Sequence, residues 1–104
     1  MKRILLDTHA LIWWMEGSKH LGPSSQQMIA SEENQIFVSA ASIWEMSIKR
    51  QLGKLQVPDN LDYLIEELGF EKLMISLFHA EQAGNLPTHH KDPFDRMLIA
   101  QAQA

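Results

Sequence analysis

Ile4-Leu5-Leu6-Asp7-Thr8 is the stretch around which the rest of the chain is read. Three consecutive apolar residues, too few for a helix, run directly into an acid and a hydroxyl. That is the pattern of a short buried strand that stops at a polar end. An apolar run without alternation predicts a strand covered on both faces, as in a parallel sheet between helices. Functional groups in such sheets collect at the carboxyl ends of the strands, so Asp7 is the first candidate site residue.

Working outward, 104 residues at 45% hydrophobic suit one globular domain spanning the whole chain. No apolar run is long enough to cross a bilayer. Lys2 and Arg3 precede apolar residues as in a signal peptide, but Asp7, Thr8 and His9 interrupt the run after three residues. The chain is therefore read as mature and cytoplasmic. The absence of cysteine excludes disulfides, thiolate nucleophiles and zinc-thiolate sites. A formal charge of -4 predicts no broad basic surface for tight nonspecific nucleic-acid binding. A metal-bridged phosphodiester site is still compatible with that charge, because there the acids hold the cation and the cation meets the phosphate.

Beyond Asp7, Ala10 to Glu16 reads as a first helix closed by Gly17. Its adjacent Trp13 and Trp14 point about 100° apart, so they are either buried or form a partner-facing patch. Gly22-Pro23 opens a second helix to about Glu32. Ile36-Phe37-Val38 is a second buried strand, and Ser39 ends it and caps a helix from Ala40 to about Leu52, before Gly53. On that helix Ala41, Glu45, Ile48 and Leu52 share one face, which puts Glu45 on an apolar stripe. A buried carboxylate is costly without a partner; the competing readings are a capping box with Ser42 or a solvated position at the stripe's edge. Val57-Pro58-Asp59 begins a packing helix carrying Leu61, Leu64, Ile65 and Leu68 up to Gly69. Leu73-Met74-Ile75 is a third strand candidate, and Ser76 caps a short helix from Leu77 to about Asn85. The order strand, helices, strand, helices, strand, helices predicts an α/β fold, a three-layer α/β/α sandwich with a parallel central sheet.

Asp92-Pro93-Phe94-Asp95-Arg96 then opens a last helix, with Asp92 as N-cap, Pro93 in first position and Asp95 in the first turn. Leu98, Ile99 and Ala102 follow Asp95 at three, four and seven residues, which predicts that Asp95 lies on the packed face. Asp7, Glu45 and Asp95 could thus converge, and hard oxygen ligands of that kind suit Mg²⁺ or Mn²⁺. His89-His90, adjacent in a loop without matched ligands elsewhere, reads as solvent-facing or phosphate-touching rather than as a zinc pair. His9, His20 and His79 have no ligand spacing and read as structural.

Leu5-Leu6-Asp7-Thr8-His9, Ser39-Ala40-Ala41-Ser42-Ile43-Trp44-Glu45 and His90 through Ala100 together resemble the PIN domain, in particular the VapC-type toxins of toxin-antitoxin pairs. The resemblance implies a Mg²⁺- or Mn²⁺-dependent endoribonuclease whose acids hold the metal and whose metal-activated water attacks the RNA phosphodiester. Carried over by position, Asp7, Glu45 and Asp95 match catalytic, metal-holding acids, and Thr8 and Ser39 match hydroxyls near the metal. Asp92 and Arg96 match positions read as a helix cap and a phosphate contact. The partners implied are RNA, a neutralising cognate antitoxin and a second copy in a homodimer. A candidate docking surface lies around Trp13, Trp14 and Trp44.

The family pattern continues into a further strand whose end supplies a fourth acid, whereas this sequence stops at Ala104 within the last helix. The chain is accordingly expected to be a PIN-like domain truncated at its C-terminus, lacking the last strand or strands, with an unpaired edge along Lys2 to Leu6. That leaves open a non-catalytic remnant that binds an antitoxin or dimerises without cleaving RNA. A receiver-like domain fits poorly, since Asp7 has no acidic neighbour and Ile75 is followed by Ser76 rather than Asp.

Overall fold

A computed structural model describes residues 1–104. The opening stretch forms β1 (Arg3–Leu5), and the chain turns at once into α1 (Thr8–Glu16). Helix α1 starts two residues earlier than the apolar pattern predicts because Asp7 caps it, accepting from the Ala10 amide. Gly17, at φ 64°, ends it in the left-handed conformation that glycine adopts without a Cβ penalty. The chain continues through α2 (Pro23–Ala30), β2 (Gln35–Ser39), α3 (Ala40–Gln51), α4 (Leu61–Glu67), β3 (Glu71–Leu73), α5 (Leu77–Gly84) and α6 (Pro93–Gln103). None of these helices is long and apolar enough to cross a membrane.

The three strands form one parallel sheet in the order β1-β2-β3. Ile4 stands opposite Ile36 and Leu5 opposite Phe37, while Phe37 and Ser39 on the other side meet Glu71 and Leu73. Strand β3 therefore lies two residues before its apolar run. Its polar Glu71 and Lys72 are tolerated because β3 is an edge strand with exposed side chains, and Met74 and Ile75 run past the sheet into solvent. The outer edge of β1 is unpaired, as expected.

Coverage of the sheet is unequal. Ile36 and Val38, alternate residues of β2, face a core shared with Leu6, Leu11, Leu21, Ile29, Met46, Leu61 and Ile65. On the opposite face Leu5, Phe37 and Leu73 line an open groove with His79 of α5 and with Gln101 and Ala102 of α6. The expected burial of β1 on both faces is thus met on one face only, with Leu6 buried and Ile4 and Leu5 half-buried. Leu52 also departs from its predicted stripe and is 62% exposed, because α3 ends at Gln51 and the chain turns away there. Helix α4 begins at Leu61 rather than near Asp59, and Leu68 falls beyond its end.

Candidate functional site

The site is assembled from chain segments that end strands and begin helices. Asp7 leaves β1, and its Oδ1 accepts from the Ala10 amide at 2.7 Å. Thr8 is buried, and its Oγ1 donates to Ser42 Oγ at 3.0 Å, tying the start of α1 to the second half-turn of α3. Ser39 is fully buried at the end of β2, and its Oγ accepts from the Ala41 amide at 3.0 Å, capping α3 as predicted.

Glu45, 5% exposed, sits on the inner side of α3. The capping-box alternative does not apply to it, because the N-cap is Ser39 and Ser42 lies within the helix, engaged by Thr8. Burial of the carboxylate is made tolerable by Lys49 one turn later, whose Nζ lies 2.8 Å from Glu45 Oε2. The Lys49 ammonium is held above its ordinary value, chiefly by that hydrogen bond, with Asp92 and Asp95 adding to the Coulombic pull of Glu45 against the opposing effect of desolvation.

Helix α6 brings the remaining acids. Asp92 is its N-cap, and its Oδ1 accepts from the amides of Phe94 at 2.8 Å and Asp95 at 3.3 Å. Asp95 is exposed rather than on the packed face, which runs instead through Leu98, Ala100 and Gln101. Helix α6 packs against α5 and α3, and its buried residues are Leu98, Ala100 and Gln101, so its buried face is rotated from the predicted stripe of Asp95, Leu98, Ile99 and Ala102. Asp95 nevertheless belongs with the others. Its carboxyl is raised above the usual carboxylate value, first by desolvation and then by the charges of Asp92, Glu45 and Asp7, with His9 acting in the opposite sense.

Asp7 at the end of β1, Glu45 on α3 and Asp92 at the start of α6 therefore all act electrostatically on Asp95. Their hard oxygen donors suit a divalent cation in chemistry. In the side-chain arrangement described, no three carboxylate or imidazole groups stand close enough to ligate one ion. The donor set suits the cation by type; Asp7 and Asp92 are engaged by backbone amides and Glu45 by Lys49, while the Asp95 side chain makes no hydrogen bond.

Arg96 is placed elsewhere. Its Nη1 donates to the carbonyls of Pro87 and His90 at 3.0 and 2.6 Å, and its Nη2 to those of Gly84 and Leu86 at 3.2 and 3.0 Å. It clamps the loop between α5 and α6. His89 and His90 lie ring against ring in that loop, with centroids 4.2 Å apart. His79 is structural as read, completing a capping box with Ser76.

Sequence reasoning missed Lys49, and it read His9 as structural without placing it near Asp95. The i,i+4 order of Glu45 and Lys49 was a visible signal. His9, one residue after Thr8, is tied to Asp95 only by the fold; its ring lies 5.9 Å from that of Trp13, which stacks in turn on His20 at 5.7 Å. Trp14 packs toward Phe70. Of the three tryptophans only Trp44, at 61%, is well exposed; it meets Phe94 edge-on beside an apolar groove that includes Ile75 and Met97.

The PIN domain family matches residues 4–104. No curated protein and no solved structure matches the chain. PIN domains are in general metal-dependent nucleases, and the acids after β1 (Asp7), on α3 (Glu45) and at the start of α6 (Asp92 and Asp95) agree with that chemistry. By a match across nearly its whole length, the chain belongs to the PIN domain family.

Proposed function

We propose that the protein is a Mg²⁺- or Mn²⁺-dependent endoribonuclease of the VapC toxin type, acting in the cytoplasm and neutralised by a cognate antitoxin. The nuclease reading is carried by the placement of Asp7 after β1, of the buried Glu45 on α3 and of Asp92 and Asp95 at the start of α6, in a chain that matches the PIN domain family over residues 4–104. Carboxylates gathered in this way repel one another and call for a cation. Asp7, Glu45 and Asp95 would hold it. A bound divalent ion supplies the acidity that activates water and the charge that offsets the phosphodiester. Thr8 and Ser39 act by position: the Thr8 hydroxyl fixes α1 against α3, and the Ser39 hydroxyl holds the start of α3, so that Asp7 and Glu45 keep their relative placement. Asp92 holds the start of α6 and with it Asp95.

The exposed apolar surface around Trp44, Met74, Leu77 and Phe78 is where an antitoxin or a second copy in a homodimer would dock. One observation favours a second reading, a PIN domain that binds its partner without cleaving RNA: the side chains as they lie close no ligand set around an ion. Calorimetric titration of Mn²⁺ into the folded chain separates the two. Saturable binding that Asp95→Asn abolishes, together with Mn²⁺-dependent RNA cleavage, supports the nuclease. A folded chain that takes up no Mn²⁺ overturns it and leaves the partner-binding reading.

A further inference from the structure

We propose that Lys49 is the phosphate-binding group of this site, held on Glu45 until single-stranded RNA arrives. The inference rests on the nuclease reading and adds to it a residue that contacts substrate.

Three observations carry it. Lys49 faces the acids from the last turn of α3, paired to Glu45 at 2.8 Å and drawn also by Asp92 and Asp95. Its side chain is 43% exposed while that of Glu45 is 6% exposed, so solvent and a dissolved phosphate can reach the ammonium while its partner stays buried. The other cation suggested for phosphate, Arg96, has both terminal nitrogens committed to four backbone carbonyls.

Charge then decides what Lys49 is for. Asp7, Glu45, Asp92 and Asp95 together carry four negative charges when ionised, and one divalent ion offsets two. A phosphodiester would still approach a site of the wrong sign. Lys49 halves that residual charge. A lysine, a compact charge on a flexible four-carbon stem, can turn from Glu45 to a phosphate that reaches the same exposed ammonium. Were Lys49 only a counter-ion for Glu45 and for the carboxyl end of α3, its charge would stay within the protein.

The test is the binding of a labelled single-stranded RNA oligonucleotide by fluorescence anisotropy, with Ca²⁺ in place of Mg²⁺ to hold back cleavage, across a salt series. Wild type, Lys49→Met, Lys49→Gln and Lys49→Arg are compared, with far-UV circular dichroism to verify folding. Lys49→Gln keeps a hydrogen-bond donor for Glu45 without the charge, and so serves if Lys49→Met fails to fold. The charge-free variants should lower the slope of log K against log salt by about 0.7, the value of one single-strand phosphate contact, and weaken binding to the same extent for every oligonucleotide sequence. Lys49→Arg should restore the slope, and Mn²⁺ affinity should be unchanged or higher in the charge-free variants. An unchanged slope in variants that bind RNA overturns the proposal, as does a loss of Mn²⁺ binding that accounts for the RNA defect. A wild-type chain that binds neither Mn²⁺ nor RNA overturns the nuclease reading and this inference with it. A wild type that binds both, matched by the charge-free variants, overturns this inference alone.

Discussion

Replacing Arg96 by Met should unfold the protein more readily without removing a phosphate contact. The guanidinium bridges the carbonyls of Gly84, Leu86, Pro87 and His90, so one side chain fixes the whole connection that delivers Asp92 and Asp95 to the site. The bonds to Leu86 and His90 are part-buried and those to Gly84 and Pro87 are exposed. A hydrogen bond from a charged donor contributes about 1.5–3 kcal/mol when sheltered and far less in water. Bonds sharing one group do not add, so the two sheltered ones set the loss at roughly 2–3 kcal/mol. For a domain of this size that lowers the thermal midpoint by roughly 10–20 °C. Urea unfolding of wild type, Arg96→Met and Arg96→Lys provides the assay. Lysine keeps the charge but cannot reproduce the planar fork, so Arg96→Lys should lose nearly as much stability as Arg96→Met. The clamp is refuted if Arg96→Met stays within about 0.5 kcal/mol of wild type, the range of an uninvolved surface position. A fall in the salt slope of RNA binding at unchanged stability would point to a phosphate contact instead.

Two further outcomes follow from the start of α6. Asp92→Ala strands the amides of Phe94 and Asp95 and should cost about 1 kcal/mol in urea unfolding, whereas Asp92→Asn, an equally good cap, should cost little. Asp95 has a folded-state pKa raised above the unfolded value, so its contribution to stability is fully present below the ordinary carboxylate range and is lost as pH rises through the folded value; Asp95→Asn should therefore be more stable than wild type at pH 7 and converge with it near pH 3, and a lower urea midpoint for the variant at pH 7 would contradict the desolvation and like charge that raise it.

Features whose physics is local were legible in the chain. Ser39, Ser76 and Asp92 were read as caps because each needs only a side-chain oxygen and an amide two or three residues on. The burial of Glu45 was legible because helix period alone carries it onto the face of Ala41. What failed depends on what an element packs against. Strand β3 was misplaced because an edge strand needs no apolar run of its own, and the displaced Met74 is 62% exposed. The burial of Asp95 was misjudged because α6 turns Ala100 and Gln101 inward beside Leu98, and a polar glutamine carries no weight in an apolar stripe. Arg96 was ambiguous for a related reason: carbonyls and phosphate oxygens ask the same donors of a guanidinium, and only the fold determines which are within reach.

Capping and function, weighed as competing explanations for the acids, are compatible in the same side chains. Asp7 spends Oδ1 on the Ala10 amide, and Asp92 spends Oδ1 on both of its amides. In each case Oδ2 has no hydrogen-bond partner within the protein. A carboxylate anchored by one oxygen has little rotational freedom left to lose when the other meets a cation, so the cap pre-pays part of the ordering that binding requires. Glu45 achieves the same restraint differently, through burial and Lys49. Asp95, exposed and without a hydrogen bond through its side chain, is the acid left with the most rotational freedom, and so the one with the most ordering still to lose on meeting a cation.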